Sequence, residues 1–315
     1  MSGFKKLVVT TLIIASVAIG IGSFLVFESG MDEREAASGL WNFFKEKELS
    51  LELGSFEEVK EDQVFSLGQK EDVEVVTPYG TVEVQSHEEE GIRLIIEGKV
   101  PSRHVDRYLK ISDTKDALKI SLFQGISNVN FGFTKKDELI IRVLLPKAYD
   151  EDLKVVNVSG DVLLQDLMLA EVTLENVSGD LIIESGRYEE VDFRNVSGQM
   201  ITYGQVEEFQ GENVSGKVTA TNLQGRFQVE TVSGAMHLRS LALQKKSQAE
   251  SVSGKITVEL EGMSELSYDL SSVSGKIQVE SGEETMESGR SLKRNHSDGE
   301  KLVVSTVSGS ILVKY

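Results

Sequence analysis

The sequence predicts an all-β fold: a parallel β-solenoid of about eight coils, 18–21 residues each, behind an N-terminal transmembrane helix. Three observations predict it. Val-Ser-Gly recurs with its serines at 159, 178, 197, 215, 233, 253, 274 and 308, at intervals of 19, 19, 18, 18, 20, 21 and 34. Apolar residues alternate with polar ones on both sides of every copy, as in Leu153 and Val155 before the first and Val162 and Leu164 after it. The run Leu7–Phe27 is 21 residues without a charge, enough to cross a bilayer core of roughly 30 Å as a helix.

In chain order, residues 1–30 read as a membrane anchor. Lys5 and Lys6 precede the span, and Glu28, Asp32, Glu33 and Glu35 follow it. That asymmetry places the N-terminus in the cytoplasm and the rest of the chain outside, as a single-pass protein of the cell membrane. A cleaved secretory signal is the alternative, although the run exceeds a usual signal core. Residues 31–70 read as a juxtamembrane helix or linker, since "EREAASGLWNFFKEKE" has helical composition. Its Trp41, Phe43 and Phe44 suit either a lipid interface or a packing surface on the solenoid. Residues 71–150 hold strand-like runs such as "GTVEVQ" and "ELIIRVLLP" at irregular spacing. They are either the first coils or an antiparallel region capping the open edge of the stack. Residues 151–315 are the repeat domain, in which the polar stretch Ser281–Glu300 reads as a surface loop.

The repeat decides what its residues do. Alternation on both sides of the tripeptide means two short strands per coil, joined at a corner. The corner pairs are Ser159-Gly160, Ser178-Gly179, Ser197-Gly198, Ser215-Gly216, Ser233-Gly234, Ser253-Gly254, Ser274-Gly275 and Ser308-Gly309. Glycine supplies the positive φ of a tight bend, and the valine before it is expected to point inward. One coil cannot bury its own apolar face, whereas stacked coils can; eight at ~4.8 Å per layer make a rod of roughly 40 Å. Asn157, Asn176, Asn195 and Asn213 precede the valine in four copies and match the N-glycosylation pattern. Later copies put Thr231, Ser251, Ser272 and Thr306 there, so the column serves the corner, and its stacked amides are expected to bond along the rod as a ladder.

These features together resemble a family of bacterial envelope proteins. An apolar N-terminal segment, then Gly80, Val82 and Val84 in a G-x-V-x-V strand, then serial V-S-G coils are similar to proteins described as “putative adhesin” or β-strand-repeat proteins of unknown function. The family includes LiaG-like membrane-anchored proteins, and the similarity covers about residues 70 to 315. The resemblance implies an extracytoplasmic solenoid, a link to envelope stress, and no catalytic residues to carry over.

Composition narrows the function. A net charge of −18 repels nucleic acid, and the absence of cysteine removes disulfides, thiolate metal sites and thiol nucleophiles. "GENVSGKV" (Gly211–Val218) imitates a phosphate loop, but Val218 stands where Ser or Thr is required. "SDTK" (Ser112–Lys115) has the Ser-x-x-Lys spacing of penicillin-binding enzymes without their companion motifs. His87, His104, His237 and His296 show no ligand spacing. Asp161 and Asp180, at the same position of successive coils, are the one pair suited to calcium; otherwise no cofactor is expected. Glu212, Glu230 and Glu250 should stack as a repulsive column, with Lys217 and Lys255 across the corner to offset it. The expected function is a noncatalytic, membrane-anchored scaffold or sensor that contacts envelope or membrane proteins. An adhesin-like binder of a wall or surface ligand is the alternative, and a polysaccharide-cleaving β-helix enzyme a distant third. Self-association is left open.

Overall fold

The computed structural model describes residues 55–124, 139–244, 246–263, 265–296 and 301–315. Among them the structure is β throughout, apart from a single 3₁₀ turn at Ser102–His104. No helix among the described residues is long and apolar enough to cross a membrane. The expected anchor at Leu7–Phe27 lies outside the described residues, as does most of the expected juxtamembrane helix.

Coils stack in parallel and nearly residue for residue. In the strand Gly186–Ser197, Val191, Phe193 and Asn195 pair with Val172, Leu174 and Asn176 on one side. On the other they pair with Phe209, Gly211 and Asn213. After the corner at Gly198 the chain leaves along Met200–Thr202, which is flanked by Leu181–Ile183 and Val218–Ala220. Two sheets result, one of strands entering the corner and one of strands leaving it, and their inward residues form one continuous core. That core is closely fitted: the Phe193 and Phe209 rings stack at 5.2 Å, and a Cβ on Gly211 would lie 2.4 Å from the Phe193 ring.

The structure departs from the sequence expectations in four respects. First, the valine of Val-Ser-Gly does not point inward. The count that buries Leu153 and Val155 buries Asn157 next, which leaves Val158 half-exposed; Val273 is 62% exposed. The valines form a ridge along the corner instead. Second, the entering strand is longer than expected. Leu167 and Leu169 point inward and then Val172 does, a step of three that bends the strand Leu167–Ser178 near Ala170 and adds a short third segment to the coil.

Third, the coils do not stack in chain order at either end. Asp72–Thr77 and Thr81–His87 lie between the later segments Ala117–Leu122 and Leu139–Pro146 on one side and the Asp152–Gln165 coil on the other. At the opposite end, the last strands Lys301–Ser308 and Ile311–Lys314 lie between Lys246–Leu260 and Ser267–Ser281. Residues 71–150 thus supply both of the alternatives read from the sequence. They contribute two layers of the stack and an antiparallel cap, in which Gly91–Pro101 pairs with Leu139–Pro146.

Fourth, two expected non-strand segments are strands. Phe56–Ser66, placed with the helix or linker, pairs along its whole length with Gly91–Pro101. Its alternation is carried by Val59, Glu61, Gln63 and Phe65, so polar residues conceal the period. Within Ser281–Glu300, Glu284–Ser288 and Ser291–Arg294 pair antiparallel with Ile277–Ser281 and Ser267–Ser274. Glu284–Arg294 thus covers the outermost coil at this end of the rod rather than looping away from it.

Candidate binding face

The corner is the most repeated site in the chain. Gly160, Gly179 and Gly198 have φ of +138°, +140° and +131°, and each backbone N–H donates to the serine carbonyl of the next coil. A Cβ on Gly198 would lie 2.0 Å from the Gly179 carbonyl oxygen, so the layer spacing itself demands glycine. The asparagines do stack, but their amides do not bond one another. Asn157, Asn176, Asn195 and Asn213 donate to the carbonyl oxygens of Gly80, Gly160, Gly179 and Gly198, one layer back, at 3.0–3.3 Å. All four are buried, so no glycan reaches them in the folded chain. Where hydroxyls replace the amide, Thr231 donates to Ser251 and Ser272 to the Gly309 carbonyl.

The aspartates after the corner are absorbed by the same stacking. The Asp161 Oδ1 accepts the Asp180 backbone N–H at 2.9 Å, and the Asp180 Oδ1 accepts that of Gln199 at 2.8 Å. Among the described residues no group of three or more His, Cys, Asp or Glu side chains is arranged to hold a metal. His87 bonds the Gly91 carbonyl, and His237 and His296 face Glu259 and Glu265. His104 is buried against Phe123, and burial, followed by Arg103 and Arg107, lowers its pKa. Gly211–Val218 is two strands about a corner, not a loop before a helix. In Ser112–Lys115, the exposed Lys115 ammonium faces Asp116.

The outer face of the entering sheet gathers the charged residues. Its first column runs Asp72, Asp152, Glu171, Glu190 and Glu208 on successive layers, then reverses sign at Arg226, which pairs with Glu208 at 2.8 Å. Burial raises the Asp152 and Glu190 pKa values, and neighbouring carboxylates add to both. A second column bears Asp192, also raised by burial and partly offset by Arg194. In the third, Glu212, Glu230 and Glu250 pair in register as expected. Burial raises Glu212 and Glu230, and for Glu230 the charges of Glu250 and Glu212 add to it. Lys217 and Lys255 do not offset them, because no ion pair crosses the corner among the described residues. Glu175, in the same column, is buried between Lys154 and Arg194 at 3.6 and 3.5 Å.

This face holds two depressions. One, of about 440 Å³, lies where Ser112 and Thr114 overhang Asp72, Glu74, Asp152 and Lys154. The other, of about 240 Å³, lies among Asp192, Arg194, Glu212 and Glu230. Sequence reasoning found only the Glu212 column. The first column escaped notice because its members come one residue before the first inward position that follows the bend, where the step at Ala170 interrupts the period.

Comparisons with known proteins agree with the fold. A family profile described as Toastrack DUF4097 matches residues 71–314. No curated protein matches the sequence. Among solved structures, the chain is similar to a “putative adhesin” from Bacteroides fragilis, with 11% identity, 82% of this chain and 97% of that chain covered, and a TM-score of 0.50. It is also similar to a “putative lipid binding protein” from Parabacteroides distasonis, with 15% identity, 81% and 96% covered, and a TM-score of 0.45. At 11% identity the likeness to the Bacteroides structure is one of fold alone. The family expected from the Val-Ser-Gly coils is the one these matches return.

Proposed function

The chain belongs to the Toastrack DUF4097 family, and from that premise we propose that it is a noncatalytic binding rod. Its N-terminal apolar segment holds it at the cell membrane, and its repeat domain, outside the membrane, contacts other envelope or membrane proteins as a scaffold or sensor, including under envelope stress. The observation that carries this reading is the outer face of the entering sheet. There, carboxylates lie in register over successive layers, and those at Asp152, Glu190, Glu212 and Glu230 are held partly against their own ionisation. A partner that brings cationic groups to this face relieves that repulsion, which supports protein contact over adhesion to an anionic wall polymer. The use of corner serines, asparagines and aspartates in stacking supports a role without chemistry.

The test is crosslinking in intact cells with a lysine-reactive reagent that cannot cross the membrane. Lys99, Lys110 and Lys293 are exposed and available to it. Recovery of envelope or membrane proteins is the expected result. Recovery of wall polymer alone would replace the scaffold with the adhesin-like alternative, and labelling only after lysis would reverse the topology.

A further inference from the structure

The outer face of the leaving sheet has a charge order of its own. Its middle column runs Leu163, Ile182, Ile201, Thr219, His237 and Thr257, half-buried or nearly buried and free of fixed charge, and is continued by Glu83, ion-paired to Arg142, at one end and Leu312 at the other. The column nearest the corner changes sign along the rod, from Asp161 and Asp180 through Gln199 to Lys217 and Lys255. The far column runs Gln165, Glu184, Tyr203, Thr221, Arg239 and Glu259, in which Glu184 and Arg239 lie symmetrically about the Tyr203–Thr221 step. Lys217 and Lys255 are exposed and have no carboxylate partner among the described residues. Tyr203 is 55% exposed.

From this order we infer that the leaving face is the interface of a twofold dimer, two copies of this chain packed face to face with their rods antiparallel. A twofold axis along the strand direction, between the Ile201 and Thr219 layers, lays each column on its own inverse. Asp161 then faces the second copy's Lys255, and Glu184 faces the second copy's Arg239, which also bonds Glu261. Ile201 meets Thr219, and Tyr203 meets Thr221. No like charges are opposed in this register. A twofold axis along the rod would instead reverse the strands and lay the corner column on the far column, setting Asp180 on Glu184, a like-charge contact that the antiparallel register lacks. Eight layers at ~4.8 Å, each about five residues wide, give roughly 650 Å² per copy, or ~1,300 Å² in total, within the range of stable interfaces. The apolar middle column and charged flanks match the core and rim of such a surface.

The experiment uses the full chain in mild detergent, and the absence of native cysteine makes it clean. Sedimentation is expected to show a dimer that weakens with salt. The double variant Lys217→Glu, Lys255→Glu should raise the dimer dissociation constant by roughly tenfold or more with an unchanged circular dichroism spectrum. Independently, Tyr203→Cys mixed with Thr221→Cys should form a disulfide-linked dimer faster than Gln228→Cys, on the opposite sheet, forms one with itself. A monomer at every salt concentration, or a dimer indifferent to the double variant, would overturn the assignment. So would crosslinking no faster at 203 and 221 than at 228.

Discussion

At the corner, one missing methyl group decides whether layers can stack at all. In Gly198→Ala the new Cβ meets the Gly179 carbonyl oxygen at 2.0 Å, and φ of +131° is strained for any L residue. The strained backbone alone costs about 1–3 kcal/mol, and the displaced layer adds to it. Gly262 is the control, because its φ is +70° but nothing lies within 4 Å of its Cβ position. We expect Gly198→Ala to lower the melting temperature severely and Gly262→Ala to cost only about 1 kcal/mol; equal effects would show that steric contact between layers is not what selects glycine. Asn195 tests the second corner rule, since its amide donates to the Gly179 carbonyl from a buried position. Asn195→Asp replaces that donor with an acceptor facing an acceptor and should destabilise by more than Asn195→Ala, which loses roughly 1–3 kcal/mol. Asn195→Thr should be the mildest, as Thr231 and Thr306 already occupy the column. Urea melts of the three would sink the account if Asp ranked with Thr.

Within a sheet, stacking turns a harmless exposed glutamate into a costly one. Glu212 and Glu230 have raised pKa values because burial and neighbouring carboxylates disfavour their charged forms. Below the ordinary glutamate pKa both folded and unfolded chains hold the proton. As pH rises from there, the unfolded chain loses its proton first, so stability falls until the folded groups have also ionised. These residues therefore make the protein more stable near pH 5 than near pH 7, and Glu230→Gln should raise the melting temperature at pH 7 by roughly 1–2 °C while flattening that pH dependence. A lower melting temperature for the variant would mean that a partner already compensates the column. This register was legible in the sequence, because aligning copies on Val-Ser-Gly is enough to set Glu212 over Glu230. Parallel stacking, the glycine corner and the buried columns were legible for the same reason: each depends on a period. What the sequence concealed lacks a period. The inward turn of Asn157 was hidden because an amide there looks polar, and the outward ridge at Val158 because a valine there looks buried. Phe56–Ser66 was hidden because its inward face carries Glu61 and Gln63, and the carboxylate column at Asp152 and Glu171 because a bend breaks the count.

Over the whole molecule, the layers out of chain order make the ends unlike those of a simple solenoid. In a simple stack the last coil has one neighbour and frays alone. Here Lys301–Lys314 is bonded on both sides, to Lys246–Leu260 and to Ser267–Ser281, so the end of the described chain lies inside the stack. Among the described residues the outermost coil pairs with the rod through it alone, and Glu284–Arg294 covers that coil in turn. At the other end Asp72–His87 is enclosed in the same way. The terminal layers should therefore open together rather than one by one. Native-state hydrogen exchange should give amides of Ser267–Ser281 and Lys301–Lys314 a common opening free energy. Deleting residues 301–315 should strip protection from Ser267–Ser281 as well, two coils lost for one removed. If Ser267–Ser281 instead stays protected in the truncated chain, it has moved one layer inward onto Lys246–Leu260, and the interlock is an order of stacking rather than a requirement for it.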